Sequence, residues 1–293
     1  MTDAADAYRK RFQKVLDFVE THLEDELTVD RLSDVAAFSK YHFHRQFSAI
    51  FGVGVHKYVQ LLRLKRASYE LAFRESRRVI DVAMESGYES HEAFSRAFKK
   101  SFGQTPSEFR DQPDWESWHA AYRPLTELRS QHMKPEFEVR DVRIIDFPET
   151  RVATLEYAGD PRLLGDAIRR FIAWRKANDL GAKTSATYNV LHNDPYQVPP
   201  EEYRVDLCAA TPRPVPPNDA GVVERKIPGG RCATLRLVGS DDGLGAALLY
   251  LYRTWLPESG EEPRDFPPFV QRVTFFPDVP ENEAIHDVFM PLR

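Results

Sequence analysis

Two short stretches of the sequence place polar side chains on the outer faces of predicted helices. Phe43 and Phe94 each begin a run of three phenylalanines spaced four residues apart, which marks the inner face of a helix. The side chains left facing outward are Lys40, Tyr41, His44 and Arg45 on the first helix and His91, Glu92, Ser95, Arg96 and Lys99 on the second. Arginine donates two parallel hydrogen bonds that match guanine, and lysine suits phosphate. This chemistry is that of side chains that read double-stranded DNA.

The two polar helices belong to an internal repeat. Moving along the chain by 51 residues carries Ser39 onto Ser90 and Gly52 onto Gly103, and the arginines and phenylalanines coincide as well. In each copy a short helix and a turn precede the polar helix, which is the arrangement of a helix-turn-helix. We therefore predict an all-α tandem helix-turn-helix domain of about seven helices over residues 1–112. The helix that joins the copies has about 18 residues and spans roughly 27 Å, so one chain could reach two neighbouring segments of the major groove.

The outward residues also have structural interpretations. Solvated faces of an ordinary helical domain would expose similar side chains, although such faces need not recur as a matched pair. Arg45 and Arg96 could instead hold the turn of their own copy. A metal site at His42 and His44 is not expected, because residues two apart do not share a helix face.

The charge of the chain is divided unevenly along its length. The 293 residues carry 40 Lys and Arg against 45 Asp and Glu, a net charge of −5, whereas residues 31–110 carry 14 basic and 8 acidic side chains. A basic module of this kind suits a polyanion. Cys208 and Cys232 lie in apolar runs, so we predict buried thiols rather than a zinc site or a disulfide framework. No signal-peptide or membrane-span pattern occurs, so we expect a cytoplasmic protein with no membrane partner.

The second half of the chain contains another internal repeat. A shift of 80 residues carries Arg151 onto Arg231, with further identities nearby. Each copy reads strand, strand, helix, strand, strand, which predicts an α+β domain of duplicated ββαββ units over 135–293, preceded by a partly helical linker over 113–134. A pseudo-twofold ligand cleft between the copies would be aromatic. The aromatic residues predicted to line it are Trp174, Tyr188, Tyr250, Trp255 and Phe269, with core packing as the alternative for each.

Residues 31–110 resemble the DNA-binding domain of AraC/XylS-type transcriptional regulators. The second copy carries the resemblance almost throughout, in the runs 79–83, 86–88, 94–99 and 102–110. The first copy departs from the pattern at Ala37, where a turn glycine is usual, and at Gly54-Val55, which replaces a Ser/Thr-Pro pair. The resemblance implies that the outward residues of both helices contact bases and phosphates. It also adds RNA polymerase as a candidate partner.

Residues 135–293 resemble the GyrI-like effector-binding domain that follows the DNA-binding domain of several bacterial regulators. The residues that carry this resemblance are the runs 193–195, 204–206 and 255–260, with Asp287 in the second copy. Many relatives place a glutamate beside the aromatic residue of the penultimate strand, where it meets cationic ligands, but this chain has Phe269-Val270-Gln271. The resemblance therefore implies an aromatic or lipophilic small-molecule effector. Gln271 would offer it a hydrogen bond, and Glu156 would be a substitute carboxylate if it enters the cleft.

These observations predict a DNA-binding transcriptional regulator whose activity responds to a small molecule. No glycine-rich phosphate loop, His-Glu-x-x-His pair or Gly-x-Ser-x-Gly elbow occurs, so we expect no enzyme activity, cofactor or metal. The alternatives are a DNA-tethered domain that sequesters or hydrolyses its ligand, and a C-terminal domain that binds a protein. An aromatic cleft open to solvent would favour the effector, whereas a filled cleft would favour a protein surface.

Overall fold

A computed structural model describes residues 3–132 and 135–293, which divide into two compact units. The helical unit contains the chain up to residue 134 together with the segment 276–282. The α/β unit contains 135–275 and 283–293. Among the described residues, no helix has the length and apolar character needed to cross a bilayer.

The helical unit has the predicted tandem arrangement. Its helices are α1 (Asp3–Thr21), α2 (Val29–Val35), α3 (Lys40–Phe51), α4 (Val55–Phe73), α5 (Val79–Glu85), α6 (His91–Phe102), α7 (Pro106–Asp111) and α8 (Trp115–His132). The side chains of Ser39 and Ser90 cap α3 and α6 by accepting a backbone hydrogen bond from the first turn. Both helices end at a glycine in the left-handed conformation, so the two copies start and stop in the same way.

The repeated phenylalanines form the same aromatic core in both copies. Every member of the two phenylalanine triplets is buried. The rings of Phe47 and Phe51 lie 4.5 Å apart at 62°, and those of Phe98 and Phe102 lie 4.6 Å apart at 68°. Edge-on pairs of this kind add to the burial energy, because the positive ring edge meets the negative ring face. The shared packing therefore fixes which side of α3 and of α6 faces solvent.

The stretch predicted to be a partly helical linker, 113–134, is largely the helix α8. Trp115, Trp118 and Tyr122 on this helix are buried in the core of the helical unit. The indole of Trp118 donates to the hydroxyl of Ser68 at 2.7 Å, and the Tyr122 hydroxyl donates to a carbonyl of α4 at 3.1 Å. Aromatic residues at steps of three and four define an apolar helix face, which the prolines of this stretch obscured in the sequence. The last two residues of the stretch lie outside the described residues.

The turns of the two helix-turn-helix copies differ in one residue. Gly87 has φ = 76°, whereas the equivalent residue of the first copy, Ala37, has φ = 52°. Both values lie in the left-handed region, which glycine adopts freely and a residue with a Cβ atom adopts only at a cost in free energy. The departure of Ala37 from the family pattern therefore introduces backbone strain into the first turn.

The α/β unit contains one eight-stranded antiparallel sheet. Its strands are β1 (Val142–Phe147), β2 (Thr150–Ala158), β3 (Thr187–Leu191), β4 (Arg204–Ala210), β5 (Val222–Ile227), β6 (Gly230–Val238), β7 (Phe269–Thr274) and β8 (Ile285–Pro291). The spatial order is β1-β6-β8-β7-β3-β4-β2-β5. The first strand of each ββαββ copy is thus exchanged, so that β1 pairs with β6 and β5 pairs with β2. The predicted duplication is confirmed, and the exchange joins both copies in one sheet.

Short turns force this sheet to curl. Pro148 and Glu149 alone connect β1, the first strand in the sheet, to β2, the seventh. Six strand spacings of ~4.8 Å would separate these strands by ~29 Å in a flat sheet, far beyond the ~11 Å that two linking residues can span. The turn of the other copy lies against the first, because a Cβ atom on Gly229 would come within 2.7 Å of the backbone nitrogen of Glu149. The sheet therefore encloses a concave face.

The two faces of the curled sheet have separate cores. The convex face is covered by α9 (Leu164–Ala177) and by α10 (Leu244–Tyr250), which continues through a π-helical turn into α11 (Leu256–Ser259). The concave face holds a cluster that contains no helix residue. Its members are Phe147, Val152, Tyr188, Val190, Cys208, Ile227, Cys232, Phe269 and Phe289. Both cysteines are buried as predicted, and burial raises the pKa of the Cys208 thiol to about 12.

The strained turn allows a matched stability test. Left-handed backbone costs a non-glycine residue roughly 1–2 kcal/mol. Replacing alanine by glycine relieves this strain, but the greater freedom of glycine in the unfolded state offsets about 0.5–1 kcal/mol of the relief. We expect Ala37→Gly to raise the free energy of unfolding by about 0.5–1 kcal/mol. Gly87→Ala should lower it by more than about 1 kcal/mol, because the added Cβ atom would also come within 2.6 Å of the Arg63 guanidinium. Urea unfolding of the full chain, followed by tryptophan fluorescence, measures both. A destabilised Ala37→Gly variant would contradict the strain at this turn.

Candidate functional site

The predicted DNA-reading residues of the first copy are all exposed on α3. These residues are Lys40, Tyr41, His44 and Arg45. Tyr41 is 77% exposed, an unusual exposure for a large aromatic side chain. Lys40 lies 3.6 Å from Asp30 and is the only one of the four with an ion pair among the described residues. The face of α3 therefore presents hydrogen-bond donors with few internal partners.

The second copy presents a similar face on α6. Arg96 and Lys99 are exposed, and the described part of the chain gives neither of them a hydrogen bond or an ion pair. His91 and Glu92 are exposed in the first turn, and Ser95 is half-buried. The backbone amide at the helix start, together with Ser90, lowers the pKa of the Glu92 carboxyl. Glu92 thus interacts with the start of α6 and also lies on the exposed face of this helix.

The spacing of the two polar faces is set by α4. This helix has 19 residues and follows α3 after a short turn. At ~1.5 Å per residue it spans ~28 Å, which is comparable to the ~34 Å between successive major-groove faces of B-DNA. The observed helix is thus as long as the sequence predicted.

The seven residues predicted to line a ligand cleft divide between the two faces of the sheet. Tyr188 and Phe269 belong to the concave cluster, and Gln271 lies opposite Tyr188 in the register of β3 and β7. Glu156 also has the concave orientation, opposite Asp206. The other three residues, Trp174, Tyr250 and Trp255, lie on or beside helices and pack on the convex face. One cleft does not bring all seven together, because the helices that carry Trp174, Tyr250 and Trp255 pack against the opposite face of the sheet.

The concave face is filled by an aromatic residue that the sequence analysis did not single out. The ring of Phe147 lies 4.9 Å from that of Phe269, 5.3 Å from that of Phe289 and 6.0 Å from that of Tyr188. Phe269 is fully buried and Tyr188 is 6% exposed. The predicted aromatic cleft is therefore closed in this structure. The repeat could have indicated this site, because the shift of 80 residues carries Phe147-Pro148 onto Ile227-Pro228. An apolar residue followed by proline thus recurs at the same place in both copies.

The carboxylates of the concave face all have cationic or imidazole partners. Glu156 lies 2.7 Å from Arg225, and Asp206 lies 2.9 Å from the imidazole of His192. Asp287, opposite Gln271 in the register of β7 and β8, accepts two hydrogen bonds from Arg236 at 2.7 and 2.8 Å. Glu156 is therefore already paired, and the amide of Gln271 is the uncharged polar group beside the aromatic floor.

The sequence and its known relatives agree with this division into two functional units. Residues 140–293 match the GyrI-like small molecule binding domain family, and residues 32–112 match a helix-turn-helix domain family. The probable transcriptional regulator YgiV of Escherichia coli is 37% identical over 52% of this chain and 96% of its own length.

Two further relatives are similar to this chain over part of their own length. The right origin-binding protein of Escherichia coli is 30% identical over 50% of this chain and 51% of its own length. The HTH-type regulator YbfP of Bacillus subtilis is 38% identical over 35% of each chain. The chain therefore belongs to the GyrI-like family, with an AraC-type helix-turn-helix domain in its N-terminal half.

Proposed function

We propose that this chain is a sequence-specific DNA-binding transcriptional regulator whose activity responds to a small molecule bound by its α/β unit. The observation that carries the proposal is the matched pair of capped helices with exposed donor-rich faces, α3 and α6, in a chain of the GyrI-like family. The names of its relatives as transcriptional regulators support it. A regulator of this kind acts in the cytoplasm, where RNA polymerase is a predicted partner, and it needs no enzyme activity of its own.

The two recognition helices would share the work of binding DNA. Arg45 and Arg96 supply planar donors for guanine, and Lys99 supplies a point charge for phosphate. The phenylalanine packing, which turns the polar side of each helix to solvent, supports reading of two adjacent major-groove segments.

The ligand would bind on the concave face of the α/β unit, where the aromatic floor meets Gln271. Since Phe147 occupies this face, a ligand has to displace its ring. The pairing of Glu156 with Arg225 and of Asp287 with Arg236 favours a neutral aromatic or lipophilic ligand over a cation, because both carboxylates already have a cationic partner. The same pairing argues against a hydrolytic role.

A protein-binding role for the α/β unit is the second candidate, and the closed concave face is the observation that favours it. A sheet with a filled interior offers a ligand no preformed cavity. Removal of the Phe147 ring distinguishes the two roles, because the space it leaves would create a ligand site but would not create a protein-binding surface.

Base reading by Arg96 is tested by substitution. We expect Arg96→Ala to weaken specific binding by about 1–3 kcal/mol and to relax the preference at one base pair. Binding of the full chain to duplexes selected from a random pool, and to their single-base variants, measures this preference. Arg140→Ala makes the same charge change at an exposed site of the other unit and should leave the preference intact. Unaltered selectivity of Arg96→Ala would contradict base reading.

The phosphate role of Lys99 has a different signature. We expect Lys99→Ala to lower affinity evenly across DNA sequences and to reduce the slope of log affinity against log salt by about 0.9. Titrations of the full chain at several salt concentrations give this slope. A slope equal to that of the unsubstituted chain would exclude a contact between Lys99 and phosphate.

The ligand site is tested by removing the ring that fills it. We expect Phe147→Ala to cost about 3–5 kcal/mol of stability and to create a cavity that naphthylmethanol fills, with a saturable rise in melting temperature. Naphthylmethylammonium, the matched cation, should raise it less. Ile144→Ala, an exposed position on the same strand, is the control. If neither probe stabilises the Phe147→Ala protein or the unsubstituted protein, the protein-binding role is favoured instead.

A further inference from the structure

The segment 276–282 belongs to the helical unit, although the strands on both sides of it, β7 and β8, belong to the α/β unit. The ring of Phe276 lies 5.0 Å from that of Tyr69 on α4, and Asp278 forms an ion pair with Arg74. The side-chain amide of Asn282 donates to the hydroxyl of Thr21 on α1 at 3.2 Å. The segment is therefore held by contacts along its length.

The most buried contact of the segment is made by Glu281. Its carboxylate accepts hydrogen bonds from the ammonium of Lys65 at 2.8 and 3.0 Å and lies 2.5 Å from the guanidinium of Arg129. Arg129 also lies 2.8 Å from Glu20. The four side chains are between 1% and 10% exposed. Burial raises the pKa of the Glu20 carboxyl to about 7, which Arg129 partly offsets.

Such a cluster strongly constrains its members. Removing a charge from water is costly, and only the opposite charges nearby offset that cost. Loss of the Glu281 charge would leave the buried Lys65 and Arg129 with less negative charge to offset their removal from water. The position of Glu281 is thus tied to the positions of Lys65 and Arg129.

The members of the cluster come from the helices that hold the two DNA-reading copies. Glu20 lies on α1, which packs against α2 of the first copy, and Arg129 lies on α8, which packs against α6 of the second. Lys65 lies on α4, which joins the copies. Glu281 therefore contacts α4 and α8 directly and is linked to α1 through Arg129.

We propose that Glu281 is a positioning residue that fixes α3 and α6 relative to each other, and that the segment 276–282 thereby sets the affinity for DNA that spans both helices. This inference rests on the proposed function and adds a way in which the affinity for DNA would be regulated. The strands that the segment connects carry Phe269, Gln271, Asp287 and Phe289 on the concave face. A ligand that moves these strands pulls on Glu281 through the chain itself.

The test compares two duplexes bound by the full chain. The first is a site selected from a random DNA pool, and the second is the same site with the half contacted by α6 scrambled. We expect Glu281→Gln to lower affinity for the full site about tenfold and to change affinity for the half-site by less than twofold. Glu283→Gln, an exposed substitution just beyond the segment, should change neither.

A second variant distinguishes the positioning role of Glu281 from a simple folding defect. Lys65→Met combined with Glu281→Gln removes one charge of each sign, so the remaining pair of Arg129 and Glu20 stays balanced. It should show the same loss on the full site alone. Equal losses on both duplexes, or no loss on either, would overturn the positioning role. A wild-type chain that selects no sequence at all would instead contradict the proposed function.

The regulatory step is tested by a double-mutant cycle. Phe147→Ala disturbs the concave face and is expected to change the affinity for the full site at least threefold. In the Glu281→Gln background the same substitution should have no effect, because the link is already broken. An effect of Phe147→Ala that is equal in both backgrounds, or absent from both, would overturn regulation through this segment.

Discussion

The α/β unit depends on two turns that are too short for a flat sheet. Pro148-Glu149 and Pro228-Gly229 each join strands that lie six positions apart in the sheet order. The sheet has to curl until these turns meet, and curling creates the concave face on which an aromatic floor can be enclosed. Curvature and the position of Phe147 beside the turn thus follow from the exchanged strand order together with one constraint on chain length.

The chemistry of the concave face follows from this enclosure. Carboxylates placed near a low-dielectric interior need partners, and here Arg225, His192 and Arg236 provide them. The groups left for a ligand include the aromatic surface and the amide of Gln271. The helical unit follows the same electrostatic rule. Its buried charges lie in one cluster that contains both signs. The polar faces of α3 and α6 remain exposed and available to DNA.

Much of the helical unit could be predicted because its information is local. Periodic phenylalanines, a capping serine and a terminal glycine define each recognition helix within about a dozen residues, and the repeat checks each copy against the other. The helix α8 was predicted only in part, because Pro124 and mixed charge obscured an apolar face that becomes visible once Trp115, Trp118 and Tyr122 are seen packed.

The sequence by itself determined the two repeats, the class of each half and the outward residues of α3 and α6, because helix periodicity sets which side chains face solvent. It also predicted the burial of both cysteines. Only the tertiary structure decided that Trp174 and Trp255 pack on the convex face while Phe147 fills the concave one, since strand order and exchange bring together residues far apart in the chain. The meeting of Glu281 with Lys65 has the same origin, because 216 residues separate them along the chain.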